Sequence, residues 1–571
     1  MDLIVILPMH RDSKFLVLIA FFVCMGFVAC GDDASSSGPE SGDSSAVEES
    51  SSSDSAQSSS VKRSSSSEKN LSSSSSKTVA TSSSSRRASS SSSSNKKDSS
   101  AVLVADTIKI TYALKRFDGP LSNPHKGFTV PTEGLWTFVP EFEYGPYGSL
   151  NNKAWDLVTY GSGYQKWNKL NPAKGVYDWT ELEKLLDDLA EHNMGYALRV
   201  LPYSQSMGIS NKFTVESDYD WTPEFVYDDG AKKNYAKHKY DGVEYTLAVP
   251  VWDDPVYLQA AKDFAKALAE KYDGDPRIEY IDIRTFGEWG EWHASHLDGS
   301  EMPSDSIEMD MLDYYASVFK KTQLVLPSSG VGDVYTHALS LGITKRDDGF
   351  IGIPGRPDSL VRAYEANLPT IAENIAGYAT MLNFTDVIPG GYLKWTPQRW
   401  VDAITTAHLT YYVLDQDSDC GYNFYKDNKA LADSMSKVIG YNFTVTQAKL
   451  TTVTDAKNVA STLNITVKNT GVAPCFFDIY MVAEFVDSTG KALAQIGETI
   501  RIPKATFKDG SSQDFSFIYK VARKASVATQ PGVSVALSLY ESEESFKKGQ
   551  NPTVRFDNDG LLENKKLLLK P

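Results

Sequence analysis

A chain of 571 residues has room for about three or four domains, and 41% hydrophobic residues are enough to fill real cores. The net charge of −16 argues against nucleic acid as a partner, since phosphate recognition needs basic patches. Aromatic residues make up 11%, with 30 Tyr and 10 Trp, a surplus that suits both a large barrel core and carbohydrate, whose apolar faces lie on flat rings.

Residues 1–30 read as an export signal. Arg11 and Lys14 flank an apolar run from Phe15 to Ala29 that is too short for a membrane span. A second apolar patch, Met1 to Pro8, precedes that flank, and Met9 is an alternative start. The run ends Phe27-Val28-Ala29-Cys30, which resembles the lipobox of bacterial lipoproteins, with Phe27 where leucine is more usual. The resemblance implies lipidation of Cys30 and places the protein at the outer membrane or cell surface, with the membrane a partner through the anchor. Residues 31–102 are serine runs broken by scattered charges. They cannot bury apolar surface, so they are expected to form a flexible tether.

From residue 103 to about 440, short apolar strands alternate with helical stretches, the pattern of βα units. Eight candidate strands lie near 127–130, 157–161, 196–201, 278–284, 323–326, 349–353, 370–373 and 409–414. Between them, Leu182, Leu185, Leu186 and Leu189 form one helical stripe, and Ala261, Phe264, Ala265 and Leu268 another. The fold class expected is α/β, a (β/α)8 barrel, with a top-face insertion over 205–252. Residues 441–571 alternate apolar and polar positions between turn clusters such as Asp487-Ser488-Thr489-Gly490, which predicts an antiparallel β-sandwich. Of four cysteines, Cys24 and Cys30 belong to the signal region; Cys420 and Cys475 either join barrel to sandwich or stand as separate thiols.

Barrel chemistry sits on the loops at the C-terminal strand ends. In the fourth candidate strand Tyr280, Asp282 and Arg284 share one face and Ile281 and Ile283 the other, so the polar set should point inward. Glu288 and Glu291 follow in the loop above, and Glu373 ends the seventh strand. Two carboxylates facing each other across a barrel mouth are what glycoside hydrolysis needs. Arg199 and Arg284 would keep the nucleophile ionised. Trp289, Trp292, His293, Tyr203 and Tyr411 are candidate substrate contacts; Trp136, Trp252, Trp395 and Trp400 either line subsites or pack. Asp415, Asp417 and Asp419 look like half a calcium loop but lack its glycine and its closing glutamate. No phosphate loop, zinc spacing or dinucleotide fingerprint is present, so neither metal nor other cofactor is expected.

This placement resembles the clan of retaining glycoside hydrolases that includes β-galactosidases and cellulases. The run from Trp167 to Trp179 is similar to that clan's Trp-x-x-Leu-Glu-Pro-x-x-Gly-x-Tyr-Asp motif, with Asn171 at the glutamate. A closer resemblance is to a bacterial lipoprotein family of barrel-plus-sandwich proteins. It rests on Asn123 to Phe128, Asp275 to Ile278, Gly287 to His293 and Asn469 to Pro474. That family's fixed glutamate falls on Glu291, and the clan's acid would fall on Glu288, where Gly287 replaces the clan's asparagine. The resemblance implies a retaining hydrolase with Glu291 as acid/base and Glu373 as nucleophile, acting on a polysaccharide or oligosaccharide. A non-catalytic glycan-binding lipoprotein and a structural cell-envelope protein are the alternatives.

Overall fold

The computed structural model describes residues 105–129, 157–205, 212–385, 391–414 and 418–571. The signal-like segment with Cys30, the serine-rich stretch and Trp136 lie outside them, as do the side chains of Asp415, Asp417, Asp419 and Cys420.

The first strand, β1 (Asp106–Thr111), lies ahead of the barrel in sequence but belongs to the C-terminal sandwich. The barrel follows with β2 (Gly127–Thr129), β3 (Tyr160–Lys166) and β4 (Gly195–Leu201). After the C-terminal end of β4 the chain makes an antiparallel hairpin, β5 (Lys233–Tyr240) and β6 (Val243–Pro250), within the expected insertion. The barrel resumes with β7 (Ile278–Asp282), β8 (Leu324–Leu326), β9 (Thr344–Asp347), β10 (Ile371–Glu373) and β11 (Tyr411–Val413). All eight barrel strands run parallel, in the order β2-β11-β10-β9-β8-β7-β4-β3, and a parallel bridge from Phe128 to Val158 closes the ring.

Seven of the eight expected strands are found, the second of them shifted forward to Tyr160–Lys166. The sixth is displaced: the apolar run 349–353 forms turns, and the strand is the charged Thr344-Lys345-Arg346-Asp347. Its polarity conceals it, because strand preference is largely a preference for apolar packing surroundings. Arg346 points into a charged interior. On the helix side, Lys345 lies over the Tyr335 ring and Asp347 accepts a bond from Ser359 Oγ at 3.0 Å.

The helices form for plain reasons. Helix Thr180–Glu191 buries its leucine stripe against the barrel wall. Helix Pro255–Tyr272 starts with Pro255 behind the Asp254 cap, whose carboxylate accepts from Val256 N at 2.8 Å. Inside the barrel, Tyr160, Ala197, Tyr280, Val325, Ile371 and Tyr411 pack as one apolar layer. The charged side chains described below stand above that layer, toward the C-terminal strand ends.

The remaining strands form the sandwich. β1 pairs with β12 (Phe443–Thr454), β12 with β13 (Asn458–Asn469), and β13 with β17 (Ser512–Ala522). The facing sheet holds β14 (Ile479–Val486), β15 (Ala492–Gln495), β16 (Ile500–Ile502), β18 (Ser534–Tyr540) and β19 (Leu567–Leu569). Cys475 is a buried free thiol in the core between them.

The sandwich joins the barrel at the N-terminal strand ends, opposite the charged cluster. His125 donates to Glu279 at 2.8 Å and to Glu541 of the sandwich at 3.0 Å, so both ring nitrogens carry protons. Burial opposes that charge, but the two carboxylates hold the His125 pKa well above its ordinary value. Asn123 exchanges bonds with the Arg555 backbone, and Tyr441 donates to Pro124 O. Asn469 accepts from Asn442 N and Gly471 N and donates to Ala473 O and Phe507 O. Val472 N donates to Val438 O at 2.9 Å and Val472 O meets His408 Nδ1 at 2.8 Å, so two of the motif runs, around residues 123–128 and 469–474, serve this junction.

Gly471 is the tightest point of the junction, because a Cβ there would lie 2.0 Å from Gly440 O. Overpacking of this kind costs roughly 1–3 kcal/mol. Gly471→Ala should lower the melting temperature by several degrees, measured by scanning calorimetry; an unchanged melting temperature contradicts the packing described.

Candidate active site

The loop after β7 is a compact knot. Glu288 N bonds His293 O at 2.9 Å and Trp292 N bonds Phe286 O at 3.0 Å, so residues 286–293 fold back on themselves. Gly287 and Gly290 have φ of 77° and 66°, and a Cβ on either would run into backbone, His293 O at 2.3 Å or Arg284 O at 2.6 Å. Trp289 and Trp292 also have positive φ, an uncommon backbone state for bulky residues. Their side chains compensate: both are buried, and Trp292 Nε1 donates to Ile283 O at 2.9 Å. Both tryptophans thus anchor the loop, Trp289 by packing with Leu201 and Trp221.

What the knot presents is Glu291. Its Oε1 accepts from Arg284 Nη1 at 2.9 Å and from Arg346 Nη2 at 3.2 Å, and its Oε2 lies 3.5 Å from His293 Nε2. Glu373, at the end of β10, accepts from Arg346 Nη1 at 2.7 Å and Arg199 Nη1 at 3.2 Å. Glu291 and Glu373 therefore occupy the two terminal nitrogens of one guanidinium. Asp348, just past β9, accepts from the same Arg346 Nη2 at 2.6 Å. Asp282 Oδ2 takes Arg284 Nη2 at 2.8 Å and lies 3.5 Å from Arg346 Nε.

Three guanidiniums thus face four carboxylates in a nearly dry setting, with Arg284 and Arg346 wholly buried. Bidentate-capable arginine suits such sites because its fork matches carboxylate geometry. Burial pushes the Glu291 pKa up, but the bond from His293 and the charges of Arg284 and Arg346 outweigh it and hold the group below the carboxylate range. Asp348 goes the other way: burial dominates, the nearby Glu291 and Glu373 charges add to it, and its pKa is pushed up to about 8 despite Arg346.

Glu288 lies beneath, fully buried. His293 Nδ1 lies 3.0 Å from its carboxylate, His296 N donates to it at 3.1 Å, and Gln205 Nε2 also donates to it. Burial again raises its pKa, and His293 and His296 bring it below the ordinary value. His293 consequently bridges Glu288 and Glu291. Burial disfavours its charge, yet those two carboxylates hold its pKa up to about 10.

The structure brings together Glu288, Glu291, Glu373, Arg199, Arg284 and His293. It does not bring Tyr411 to them: that side chain is in the lower layer, and its hydroxyl donates to Glu279 at 2.9 Å. Tyr203 lies past the end of β4, packed on Tyr219 and Trp252. Trp252, Trp395 and Trp400 are core residues. Sequence reasoning missed Arg346, Asp348, Asp282's pairing role and Gln205. A faint signal existed for the first two. Thr344, Arg346 and Asp348 alternate, but Lys345 and Asp347 between them are charged too, so no face stands out. Among the described residues no group of three or more His, Cys, Asp or Glu is placed to hold a metal ion.

No family model and no curated protein matches this chain. Among solved structures it is similar to a β-galactosidase from the psychrophilic Marinomonas ef1, with TM-score 0.33 and 11% identity over 54% of this chain. The chain spans 60% of that galactosidase's length. It is also similar to the catalytic domain of a β-amylase from Paenibacillus polymyxa, with TM-score 0.32 and 10% identity, covering 51% of this chain and 92% of that one. A third likeness is to endo-glycoceramidase II from a Rhodococcus species, with TM-score 0.28 and 11% identity, covering 71% and 99%. The parallel eight-strand barrel rests on the strand order itself.

The His293 bridge has a pH signature. A histidine whose folded pKa is raised contributes stability that is fully present below its ordinary value of 6.5 and is lost as the pH rises through about 10. Wild type should exceed His293→Gln in unfolding free energy by roughly 3 kcal/mol at about pH 6. Denaturant titrations should show the gap closing toward about pH 10. A gap independent of pH contradicts the bridge.

Proposed function

We propose that this protein is a glycoside hydrolase that cleaves a polysaccharide or oligosaccharide with two carboxylates and retention of configuration. The observation that carries the reading is the attachment of Glu291 and Glu373, from different barrel strands, to opposite nitrogens of Arg346 at the C-terminal barrel end. One guanidinium holds both carboxylates close together, and retention is the outcome expected of the short separation, roughly 5–5.5 Å, as against roughly 6.5–9.5 Å for inversion. Glu373, ion-paired with Arg199 and Arg346, has the role of nucleophile. Glu291, held as a carboxylate, has the role of base toward water in the hydrolytic step. Arg346 and Arg199 would also counter the charge that shifts as the glycosyl bond to Glu373 forms and breaks. The serine-rich stretch and Cys30 complete the reading, with the barrel tethered by lipid to the outer membrane or cell surface.

The hydrolase reading is checked on a glycan panel. Wild type should release reducing sugar from at least one glycan. Glu373→Gln and Glu291→Gln should each lose on the order of 10³-fold in kcat while remaining folded by circular dichroism. Product anomers read by proton NMR should keep the substrate's configuration. Binding without turnover by wild type would instead favour the glycan-binding alternative, and variants as active as wild type would remove the pair from the chemistry.

The tether is checked separately by detergent partition. The full chain should enter the detergent phase and Cys30→Ser the aqueous phase; equal partition contradicts lipidation.

A further inference from the structure

We propose that Asp348 is the acid of this site, the group whose proton passes to the glycosidic oxygen as the leaving sugar departs. The assignment rests on the hydrolase reading above and deepens it.

The argument begins with a count of cations around each carboxylate. Glu291 is contacted by Arg284, Arg346 and His293. Glu373 is contacted by Arg199 and Arg346. Asp348 has Arg346 alone, through Oδ2 at 2.6 Å. Four carboxylates crowd Arg346, Asp282 also holding Arg284, and in a dry site their mutual repulsion favours a proton on the one with the fewest cations, Asp348. The geometry agrees. Asp348 Oδ1 is buried and meets no hydrogen-bond partner among the described residues, which leaves that oxygen to carry the proton. The other groups that bear on Asp348 are Glu291 and Arg284 from the β7 side and Glu373 from β10, while Ser328 Oγ accepts only from its backbone nitrogen, at 3.2 Å. The pKa pushed up to about 8 by burial and by those two glutamates is consistent with the same assignment. Glu291 is the wrong resting donor, because its three cations keep it a carboxylate.

The proton circuit balances. In the first step Glu373 forms a bond to the anomeric carbon and the bond to the leaving oxygen breaks. The leaving oxygen keeps that electron pair and takes the proton of Asp348. In the second step water attacks the anomeric carbon, the bond to Glu373 breaks, and Glu291 takes a proton from the water. Glu291 holds a proton far more weakly than Asp348, so it releases that proton to solvent and Asp348 takes one up before the next turnover, which closes the cycle.

Two measurements on the full chain test this. In the first, carbon-13 NMR of aspartate carboxyls should show one group titrating at about pH 8 in wild type and none there in Asp348→Asn. If every aspartate carboxyl titrates in the ordinary acidic range, the proposal is overturned whatever the activity. In the second, kcat is compared on glycosides of one sugar with good and poor leaving groups. Asp348→Asn should lose at least about 100-fold on the poor leaving group and no more than about tenfold on a nitrophenol. Asp348→Glu, which keeps an acid in place, should recover part of the loss. An equal loss on both leaving groups, or none on either, overturns the acid role. If wild type turns over no glycan, the hydrolase reading falls and the acid role with it, and the titration alone then decides whether Asp348 stores a proton.

Discussion

Arg346 is the interaction on which the site depends. A guanidinium that is wholly buried has lost its hydration, and only close, well-aligned carboxylates can replace it. Glu291, Asp348 and Glu373 supply that replacement from three separate segments of the barrel end, and Asp282 approaches the same cation from β7. Removing Glu291 or Glu373, the charged partners, leaves the cation uncompensated, at a cost of about 3–5 kcal/mol. The pairing therefore fixes where the carboxylates sit, the preorganisation that the proposed hydrolysis would draw on.

The rest of the barrel end can be read as support for that cation. The 286–293 knot needs glycines at 287 and 290 because backbone occupies the space a side chain would fill. Trp289 and Trp292 tie the knot down, and Glu288 fixes the ring of His293 from below. His293 in turn braces Glu291 on the side away from the arginines. The sandwich contributes none of this directly. It closes the opposite end of the barrel through His125, Asn123 and Val472, whose carbonyl meets His408 Nδ1, which leaves the C-terminal end open.

Much of the fold was legible because it rests on apolar periodicity. The leucine stripe of residues 182–189 and the strand around Ile278 announce themselves. Glu291 and Glu373 were legible because each follows a recognisable strand. Strand β9 was not, since a strand made of Thr, Lys, Arg and Asp is stabilised by partners distant in sequence: Glu373, Glu291, Tyr335 and Ser359. Arg346 and Asp348 were lost with it. The aromatic surplus misled in the other direction. Trp289 and Trp292 read as candidate substrate contacts and Trp252 and Trp400 as subsite or packing, and all four side chains are buried. Tyr411 lies at the start of its strand rather than its end, a difference of a few residues that moves its hydroxyl to the other end of the barrel.

The central claim is that the two carboxylates joined through Arg346 perform glycosyl transfer, with Glu373 as the attacking group. Its most direct test is covalent trapping with a panel of activated 2-deoxy-2-fluoro glycosides, followed by peptide mapping in the mass spectrometer. The account predicts one glycosyl group per chain, attached to Glu373. A label on a different residue, or steady turnover of the natural glycan with no trapped species from any member of the panel, would contradict it.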